Sequence, residues 1–292
     1  MPTWTHIPIM AAEIADLLLT QPNGVYVDGT LGLGGHTRYF LTRLGKQARI
    51  FGFDKDEEAL KLARENVADE RLTTFHASYV QAPQLLAQNG VSQVDGILLD
   101  LGLSSYQLDN PERGFSILNN GPLDMRFDLQ NPLSAATIVN TWSLEELVHI
   151  LRDFGEERHA EQIALAIMRA RKDTLFTTTR QLAQLVETVL PRRGKMHPAT
   201  QTFQALRIAC NRELENVEQG IKMLPIVLKQ TGRAAVLTFH SLEDRMVKNY
   251  FKNLVQNGGW KLVNKHAIAP SYTEVQHNRR ARSAKLRVIE RI

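Results

Sequence analysis

Glycines and carboxylates stand at the ends of apolar segments in the first third of the chain, where they could form a ligand site. The segment Asp28–His36 (DGTLGLGGH) follows the apolar Val25–Val27, and Asp54 and Asp100 each end a later apolar segment. Glycines at a strand-to-helix turn let the backbone bend tightly and let a ligand come close. Because ligands of open α/β sheets bind at the carboxyl ends of the strands, we expect these residues to share one crevice.

The glycine pattern argues against a nicotinamide cofactor. In a G-x-G-x-x-G fingerprint that starts at Gly32, the third glycine would fall at Thr37. Asp28 ahead of the glycines fits S-adenosylmethionine (AdoMet) better, since AdoMet is a sulfonium cation with an amino-acid tail and no pyrophosphate. Asp54 lies 20 residues after Gly34, where a carboxylate can accept both ribose hydroxyl hydrogens.

Two further side chains are candidates in the same crevice. Tyr79 follows the third apolar segment, where adenine would lie, although an ordinary core aromatic is an equal alternative. Asp100 could accept a hydrogen bond from an exocyclic amine and orient its lone pair toward a methyl donor. The alternative is that Asp100 only contacts the cofactor or caps a turn.

The cysteine and histidine patterns restrict the chemistry further. Methylation at a pyrimidine C5 requires a cysteine nucleophile, but the single Cys210 lies in an apolar helical segment and is typical of a core residue. Attack by nitrogen or oxygen is therefore favoured. No histidine has a metal-ligand spacing, so we expect no metal site. We expect His36 near the cofactor. His197 and His240 could contact RNA or act as a base, and packing roles are the favoured interpretation of both.

The elements that position these residues alternate between strand and helix, which predicts an α/β fold with a mostly parallel sheet. The strands are predicted at Val25–Val27, Arg49–Phe53, Leu72–Phe75, Val94–Leu99, Ala234–Phe239, Trp260–Val263 and Lys285–Ile289. Residues 104–141 have a loop composition, and 143–190 have a helical pattern with capping boxes at Ser143/Glu146 and Thr178/Gln181. Ser241 with Asp244 predicts the cap of a later helix.

We therefore expect one Rossmann-like domain that is interrupted by a smaller all-helical insertion. Residues 1–105 and 199–292 would form the two parts of the α/β domain, and 106–198 would form an insertion that recognises the substrate. The 292 residues contain 43% hydrophobic and 23% charged residues, which excludes a disordered chain. One cysteine excludes an internal disulfide, and without a signal peptide or membrane-length apolar segment we expect a cytoplasmic protein with no membrane association.

Charge is unevenly distributed. Residues 1–100 hold 8 basic and 12 acidic side chains, whereas 101–292 hold 27 basic and 19 acidic ones. Two basic clusters, at 169–195 and 276–292, each have a net charge of +5. The first contains Arg169, Arg171, Lys172, Arg180, Arg192, Arg193 and Lys195, and the second contains Arg279, Arg280, Arg282, Lys285, Arg287 and Arg291. Either could contact nucleic-acid phosphates, although a solvated surface is the simpler explanation of one cluster alone.

Nine segments together resemble one family, in order and over nearly the whole chain. They are Asp28–His36, Leu98–Ser105, Arg113–Ser116 (RGFS), Gly121–Arg126 (GPLDMR), Phe154–Arg158 (FGEER), His197–Thr200 (HPAT), Thr202–Ile208 (TFQALRI), Phe239–Arg245 (FHSLEDR) and Arg282–Arg287 (RSAKLR). The chain resembles the bacterial small-subunit rRNA cytosine-N4 methyltransferases (the RsmH or MraW family). Long strings such as FHSLEDR are far more specific than the glycine segment.

The resemblance implies AdoMet-dependent methylation of N4 on a cytidine in the P-site region of 16S rRNA within the small ribosomal subunit. It implies cofactor contacts from Gly34, Gly35, His36, Asp54, Tyr79, Asp100 and Gln107. For catalysis we expect Asp100, helped by Ser104 or Ser105. Alternatives are a non-catalytic ribosome-assembly factor that binds AdoMet, and a methyltransferase that acts on DNA or protein. Whether the chain is a monomer or a homodimer stays open.

Overall fold

The computed structural model describes residues 8–190, 194 and 197–292, and these form two compact units. The sheet unit comprises the described part of Met1–Gly102 together with Leu214–Ile292, and the helical unit comprises the described part of Leu103–Glu213. The expected insertion, 106–198, ends earlier than the helical unit. The difference arises because the helix Thr200–Asn211 contributes Phe203 and Leu206 to the helical unit's core.

In the described part of the chain, seven strands form one sheet. They are β1 (Val25–Asp28), β2 (Arg49–Asp54), β3 (Leu72–His76), β4 (Val94–Asp100), β5 (Leu228–Thr238), β6 (Trp260–Leu262) and β7 (Lys285–Arg291). Their order is β3-β2-β1-β4-β5-β7-β6; the first five in this order pair in parallel, and β7 pairs antiparallel with β5 and β6. The predicted α/β class and mostly parallel sheet are confirmed.

The strand order reverses between β1 and β4, which places the candidate residues together. The chain runs outward from β1 through β2 to β3, and then returns to the other side of β1 as β4. Asp28 at the end of β1 pairs in register with Leu98 of β4 on one side and with Gly52 of β2 on the other. The glycine segment, Asp54 and Asp100 therefore leave neighbouring strands at one edge, the switch point where open α/β sheets bind ligands.

Helices cover both units. They are α1 (Ala11–Leu18), α2 (Gly35–Arg43), α3 (Glu57–Val67), α4 (Ala82–Gln88), α5 (Ser105–Asp109), α6 (Ala135–Thr141), α7 (Leu144–Asp153), α8 (Ala160–Ala170), α9 (Thr179–Val189), α10 (Thr200–Asn211), α11 (Glu213–Lys222), α12 (Leu224–Val227), α13 (Ser241–Gln256) and α14 (Tyr272–His277). Helices α5 and α6 lie in the segment 104–141 that was expected to be loop. Among the described residues, no helix combines the length and the apolar character that a membrane crossing requires.

Two apolar cores bury the faces of the sheet, and a third core forms the helical unit. Val27, Phe51 and Leu99 belong to one sheet core, whereas their strand neighbours Tyr26 and Leu98 belong to the other. Successive side chains of a strand point to opposite faces, so strands buried on both sides are apolar almost throughout. The helical unit has its own core of buried side chains, which includes Leu147, Ile163, Leu182 and Phe203.

Of the three helix caps predicted from the sequence, two are confirmed and one is wrong. The capping boxes at Ser143/Glu146 and Thr178/Gln181 open α7 and α9 as predicted. The predicted cap at Ser241 is wrong, because Ser241 is already the first residue of α13 and His240 caps the helix. His240 has an extended backbone and accepts the N–H of Glu243 on its ring, while the Glu243 carboxylate accepts the N–H of Phe239 at 2.8 Å.

Candidate active site

Asp28 anchors the glycine segment from inside the protein. Its side chain is 1% exposed; Oδ2 accepts the Thr37 hydroxyl hydrogen at 2.8 Å, and Oδ1 accepts the N–H of Thr30 at 3.3 Å. Burial raises the pKa of Asp28, and the nearby His36 and the hydrogen bond from Thr37 only partly offset it. Asp28 therefore fixes the shape of the turn, because these two hydrogen bonds tie it to Thr30 of the turn and to Thr37 of the helix that follows.

Close approaches explain two of the glycines. Gly34 caps α2 with a left-handed φ of 79°, and a Cβ there would lie 2.5 Å from Cγ2 of Val67. A Cβ on Gly29 would lie 2.5 Å from Cδ2 of Leu99. The cap of α2 is Gly34, which has no side chain to accept from the first turn, so the backbone N–H groups at the start of α2 are suited to a carboxylate or another polar ligand group.

Asp54 holds the glycine segment from the neighbouring strand. Its Oδ2 accepts the N–H of Gly32 at 2.7 Å, and its Oδ1 accepts the N–H of Asp56 at 2.9 Å. Burial raises the pKa of Asp54 to about 6, although both hydrogen bonds oppose the shift. Each carboxylate oxygen has a second lone pair, so Asp54 can still accept hydroxyl hydrogens from a ribose. Its cofactor role stays a prediction.

Tyr79 is buried beside the glycine segment. It opens a short 3-10 helix, Tyr79–Gln81, and its side chain is 8% exposed. A Cβ on Gly220 of α11 would lie 2.3 Å from Cε2 of the Tyr79 ring, and one on Gly29 would lie 3.0 Å from Cβ of Tyr79. The ring therefore packs on the Gly220 backbone at the carboxyl edge of the sheet, where both a core role and a role next to adenine are possible.

Buried His36 and partly buried Asp100 form a close pair at the switch point. Nε2 of His36 lies 3.2 Å from Oδ2 of Asp100, and the Asp100 N–H donates to Oγ1 of Thr30 at 2.7 Å. Burial lowers the pKa of His36, but Asp100 and Asp28 outweigh it and the net pKa is raised. Among the described residues, the buried Oδ1 of Asp100 and Nδ1 of His36 have no hydrogen-bond partner. Both atoms are suited to meet a polar ligand.

Ser104 and Gln107 have structural roles that the sequence analysis did not assign. The Ser104 hydroxyl accepts the N–H of Gln107 at 3.1 Å, and Oε1 of Gln107 accepts the N–H of Ser104 at 3.1 Å. This capping box opens α5 and fixes both side chains. Ser105 is the first residue of α5, and its side chain lies outside the described part of the chain. The catalytic and cofactor roles of these residues stay predictions.

Cys210 and His197 are structural, as their sequence contexts indicate. Cys210 is fully buried, and its thiol donates to the carbonyl oxygen of Leu133 at 2.9 Å. Burial raises the pKa of Cys210 to about 12, so the thiolate needed for nucleophilic attack does not form near neutral pH. The His197 ring accepts the N–H of Ala199 at 3.1 Å and lies 3.0 Å from the Glu187 carboxylate.

The two basic clusters contain both structural and exposed side chains. Arg171 donates to the carbonyl oxygens of Val139 and Trp142, whereas Arg169, Lys172 and Arg180 are exposed. Arg192, Arg193 and Lys195 lie outside the described residues. In the second cluster, Arg287 and Lys285 pair with Asp244, and Arg291 donates to backbone carbonyls. Arg279, Arg280 and Arg282 are exposed.

Three residues that shape the site were not predicted from the sequence. Thr30 and Thr37 bind the Asp100 backbone and the Asp28 carboxylate, and Gly220 gives the Tyr79 ring its space. Thr30 lies within the glycine segment and Thr37 directly follows it, so their hydroxyl groups could have been recognised as nearby hydrogen-bonding groups. Gly220 gives no such signal, because its contact joins residues far apart in the sequence.

Comparisons with known proteins agree with this architecture. The model of the MraW methylase family matches residues 3–292. A protein of Elusimicrobium minutum named "Ribosomal RNA small subunit methyltransferase H" is 58% identical over 100% of both chains. One of the same name from Coprothermobacter proteolyticus is 44% identical over 98% of this chain and 96% of its own. The resemblance carried by the nine segments is confirmed: the chain belongs to the MraW methylase family and is a methyltransferase.

Proposed function

We propose that this chain transfers the methyl group of AdoMet to N4 of a cytidine in 16S rRNA, in the P-site region of the small ribosomal subunit. The observation that carries the proposal is the partly buried carboxylate of Asp100, which stands at the switch point of a methylase and whose buried Oδ1 has no hydrogen-bond partner among the described residues. The names of the relatives support an rRNA substrate. Because rRNA is made and assembled in the cytoplasm of bacteria, we place the activity there.

The residues at the carboxyl edge fit AdoMet, the cofactor of this enzyme class. The close approaches at Gly29 and Gly34 keep a Cβ out of the turn, and the start of α2, where Gly34 provides no side-chain cap, suits the carboxylate of the amino-acid tail. Asp54 offers lone pairs to ribose hydroxyls, and Tyr79 offers a ring edge beside them. When bound, AdoMet would supply an electrophilic methyl group on its sulfonium centre.

Asp100 is the residue that we assign to the acceptor amine. The exocyclic nitrogen of cytosine is a weak nucleophile because its lone pair is delocalised into the ring. A hydrogen bond from N4–H to Oδ1 of Asp100 would orient the amine and stabilise the positive charge that develops on N4. Nε2 of His36 lies 3.2 Å from the other oxygen, Oδ2, and this leaves Oδ1 for the substrate. The proton leaves N4 to water after transfer.

The helical unit is the proposed substrate-recognition part. It folds around its own apolar core and carries the exposed Arg169, Lys172 and Arg180. Positively charged side chains bind phosphates without reading sequence, so they would position an RNA strand. The target cytidine has to leave its base stack before N4 can reach a partly buried carboxylate.

Methyl transfer to isolated subunits tests the function. Small subunits from cells that lack this protein are incubated with the purified chain and isotopically labelled AdoMet, and the RNA is digested to nucleosides for mass spectrometry. Labelled N4-methylcytidine is the expected product. Label in DNA or protein, but not in rRNA, would favour another methyltransferase. AdoMet binding without transfer, together with normal subunit assembly by Asp54→Ala, would favour the non-catalytic assembly factor.

A further inference from the structure

We propose that Tyr272, with Arg279 and Arg282, forms a stacking platform for an unpaired base of the RNA substrate. The platform is defined as residues 271–283, which comprise α14 and the 3-10 helix Arg279–Ser283 with the caps before them. This inference rests on the proposed function, because it assigns a second surface to the same RNA substrate.

Tyr272 is an aromatic residue that the fold leaves uncovered. Its side chain is 78% exposed, which is the largest exposure of any aromatic side chain described, and it opens α14 immediately after the cap Ser271. A large apolar ring exposed on regular structure gains nothing from burial on folding. Its plane is available for contact with a partner, and a base offers a matching flat surface.

The platform is firmly attached to the sheet, so the ring is held in place. Ala281 is fully buried in an apolar core of the sheet unit, and Val275 packs against the same core. On the N-terminal side, Ile268 forms a bridge with Leu286 of β7, with N–H to O distances of 3.0 and 2.8 Å. Preorganisation of this kind reduces the conformational entropy that a ligand must overcome when it binds.

The charge of the platform points to a polyanion. Within residues 271–283, the basic side chains are Arg279, Arg280 and Arg282, and Glu274 is the single acidic one. The Glu274 carboxylate accepts the N–H of Met10 at 2.7 Å, so it is engaged with the protein's own backbone. Lys285, two residues beyond the platform, is paired with Asp244. Arg279 and Arg282 are exposed in the 3-10 helix that contacts α14, and the exposed Tyr272 is the first residue of α14.

An unpaired RNA segment is the partner that this combination fits best. Aromatic rings stack on bases of any sequence, and arginines beside them bind phosphates or stack as planar cations. A duplex offers neither an open base face nor room for a side chain in its deep, narrow groove. We therefore assign the platform to a single-stranded nucleotide near the target cytidine. This nucleotide is not the one that is methylated.

Binding of small subunits that lack the methyl mark tests the platform without turnover. Filter binding gives the Kd of the full-length chain and of Tyr272→Ala, Tyr272→Phe and Arg279→Ala/Arg282→Ala. We expect Tyr272→Ala to weaken binding about five- to a hundredfold, since stacking contributes about 1–3 kcal/mol per base. Tyr272→Phe keeps the ring and should stay within about twofold. The double arginine variant should lower the salt dependence, the slope of log K on log salt, by about 1.4.

Matched controls separate the platform from general surface effects. Lys61→Ala/Lys252→Ala removes two exposed charges elsewhere on the sheet unit, and Ile226→Ala removes an exposed apolar side chain; each should leave the Kd within about twofold. An unchanged Kd in Tyr272→Ala would overturn the inference. So would a photocrosslinker at position 272 that attaches to a ribosomal protein instead of rRNA. If the variants change the Kd as expected but the subunits are never methylated, the result would contradict the proposed function and leave the platform supported.

Discussion

Gly34→Ala is the substitution for which the structure gives the sharpest expectation. Gly34 has a φ of 79°, and a residue with a Cβ loses roughly 1–2 kcal/mol in that left-handed conformation. The new Cβ would also lie 2.5 Å from Cγ2 of Val67, and such overpacking costs about 1–3 kcal/mol. Val67 is half-buried at the end of α3 and can partly yield, so we expect a total loss of about 2–4 kcal/mol.

Gly90→Ala is the matched control for this substitution. Gly90 has a similar φ of 71°, but a Cβ there meets no atom within 4 Å. It should therefore lose only the conformational part, roughly 1–2 kcal/mol. Urea unfolding measures the stability of both variants, and calorimetry measures their AdoMet affinity. We expect AdoMet affinity to fall at least about tenfold in Gly34→Ala alone. Equal stability losses with unchanged AdoMet affinity in both variants would refute the steric reasoning.

Three further results follow from the titratable groups. AdoMet affinity should fall about tenfold between pH 7 and pH 5, because burial raises the pKa of Asp54 to about 6 and only the ionised carboxylate accepts both ribose hydroxyl hydrogens. Calorimetry at several pH values measures this affinity, and an affinity that does not change with pH would contradict the prediction. Asp244→Asn should lower the free energy of unfolding by about 1–3 kcal/mol at pH 7, and the difference from wild type should vanish as pH falls below 3.8. Burial tends to raise the pKa of Asp244, but the hydrogen bonds from Arg287 and Lys285 outweigh it, so the pKa in the folded protein is lowered from 3.8. Ionised Asp244 therefore stabilises the fold at neutral pH, and this stabilisation is lost as the pH falls through the lowered pKa. Cys210→Ala should keep methyl transfer within about twofold, and native Cys210 should resist alkylation, because burial raises the pKa of its thiol to about 12; a large loss of transfer in a folded variant would indicate a covalent role.

The sheet could be predicted from the sequence because each strand is a short apolar segment bounded by turn residues or by a terminal carboxylate. Asp54 and Asp100 mark the ends of β2 and β4 in both the sequence and the structure. The extent of β5 could not be predicted, because it begins at Leu228 and continues through polar residues and a left-handed Thr231. Leu228 pairs with Val94 of β4, and the register then shifts so that Arg233 pairs with Gly96, which leaves residues 229–232 as an irregularity that no local pattern predicts.

The parts of the candidate site that could be predicted are those whose residues are close in sequence or stand at strand ends. Contacts that depend on tertiary packing could not be predicted. The glycine segment and Asp100 stand at one edge because parallel strands order them there. The capping role of His240 was missed, since histidine competes poorly with a neighbouring serine in sequence-based reasoning. That Asp100 has a buried histidine beside it depends on how α2 leaves the glycine segment, which no local pattern encodes.

We propose that Asp100 orients the substrate amine at the switch point of a cytidine-N4 methylase. The most direct test is a single-turnover time course of N4-methylcytidine formation on small subunits lacking the mark, for wild type and Asp100→Asn at saturating AdoMet. We predict N4-methylcytidine from wild type and a rate at least about a hundredfold lower in Asp100→Asn, with an AdoMet Kd within about tenfold. A different methylated nucleoside, or an unchanged rate in Asp100→Asn, would contradict the claim.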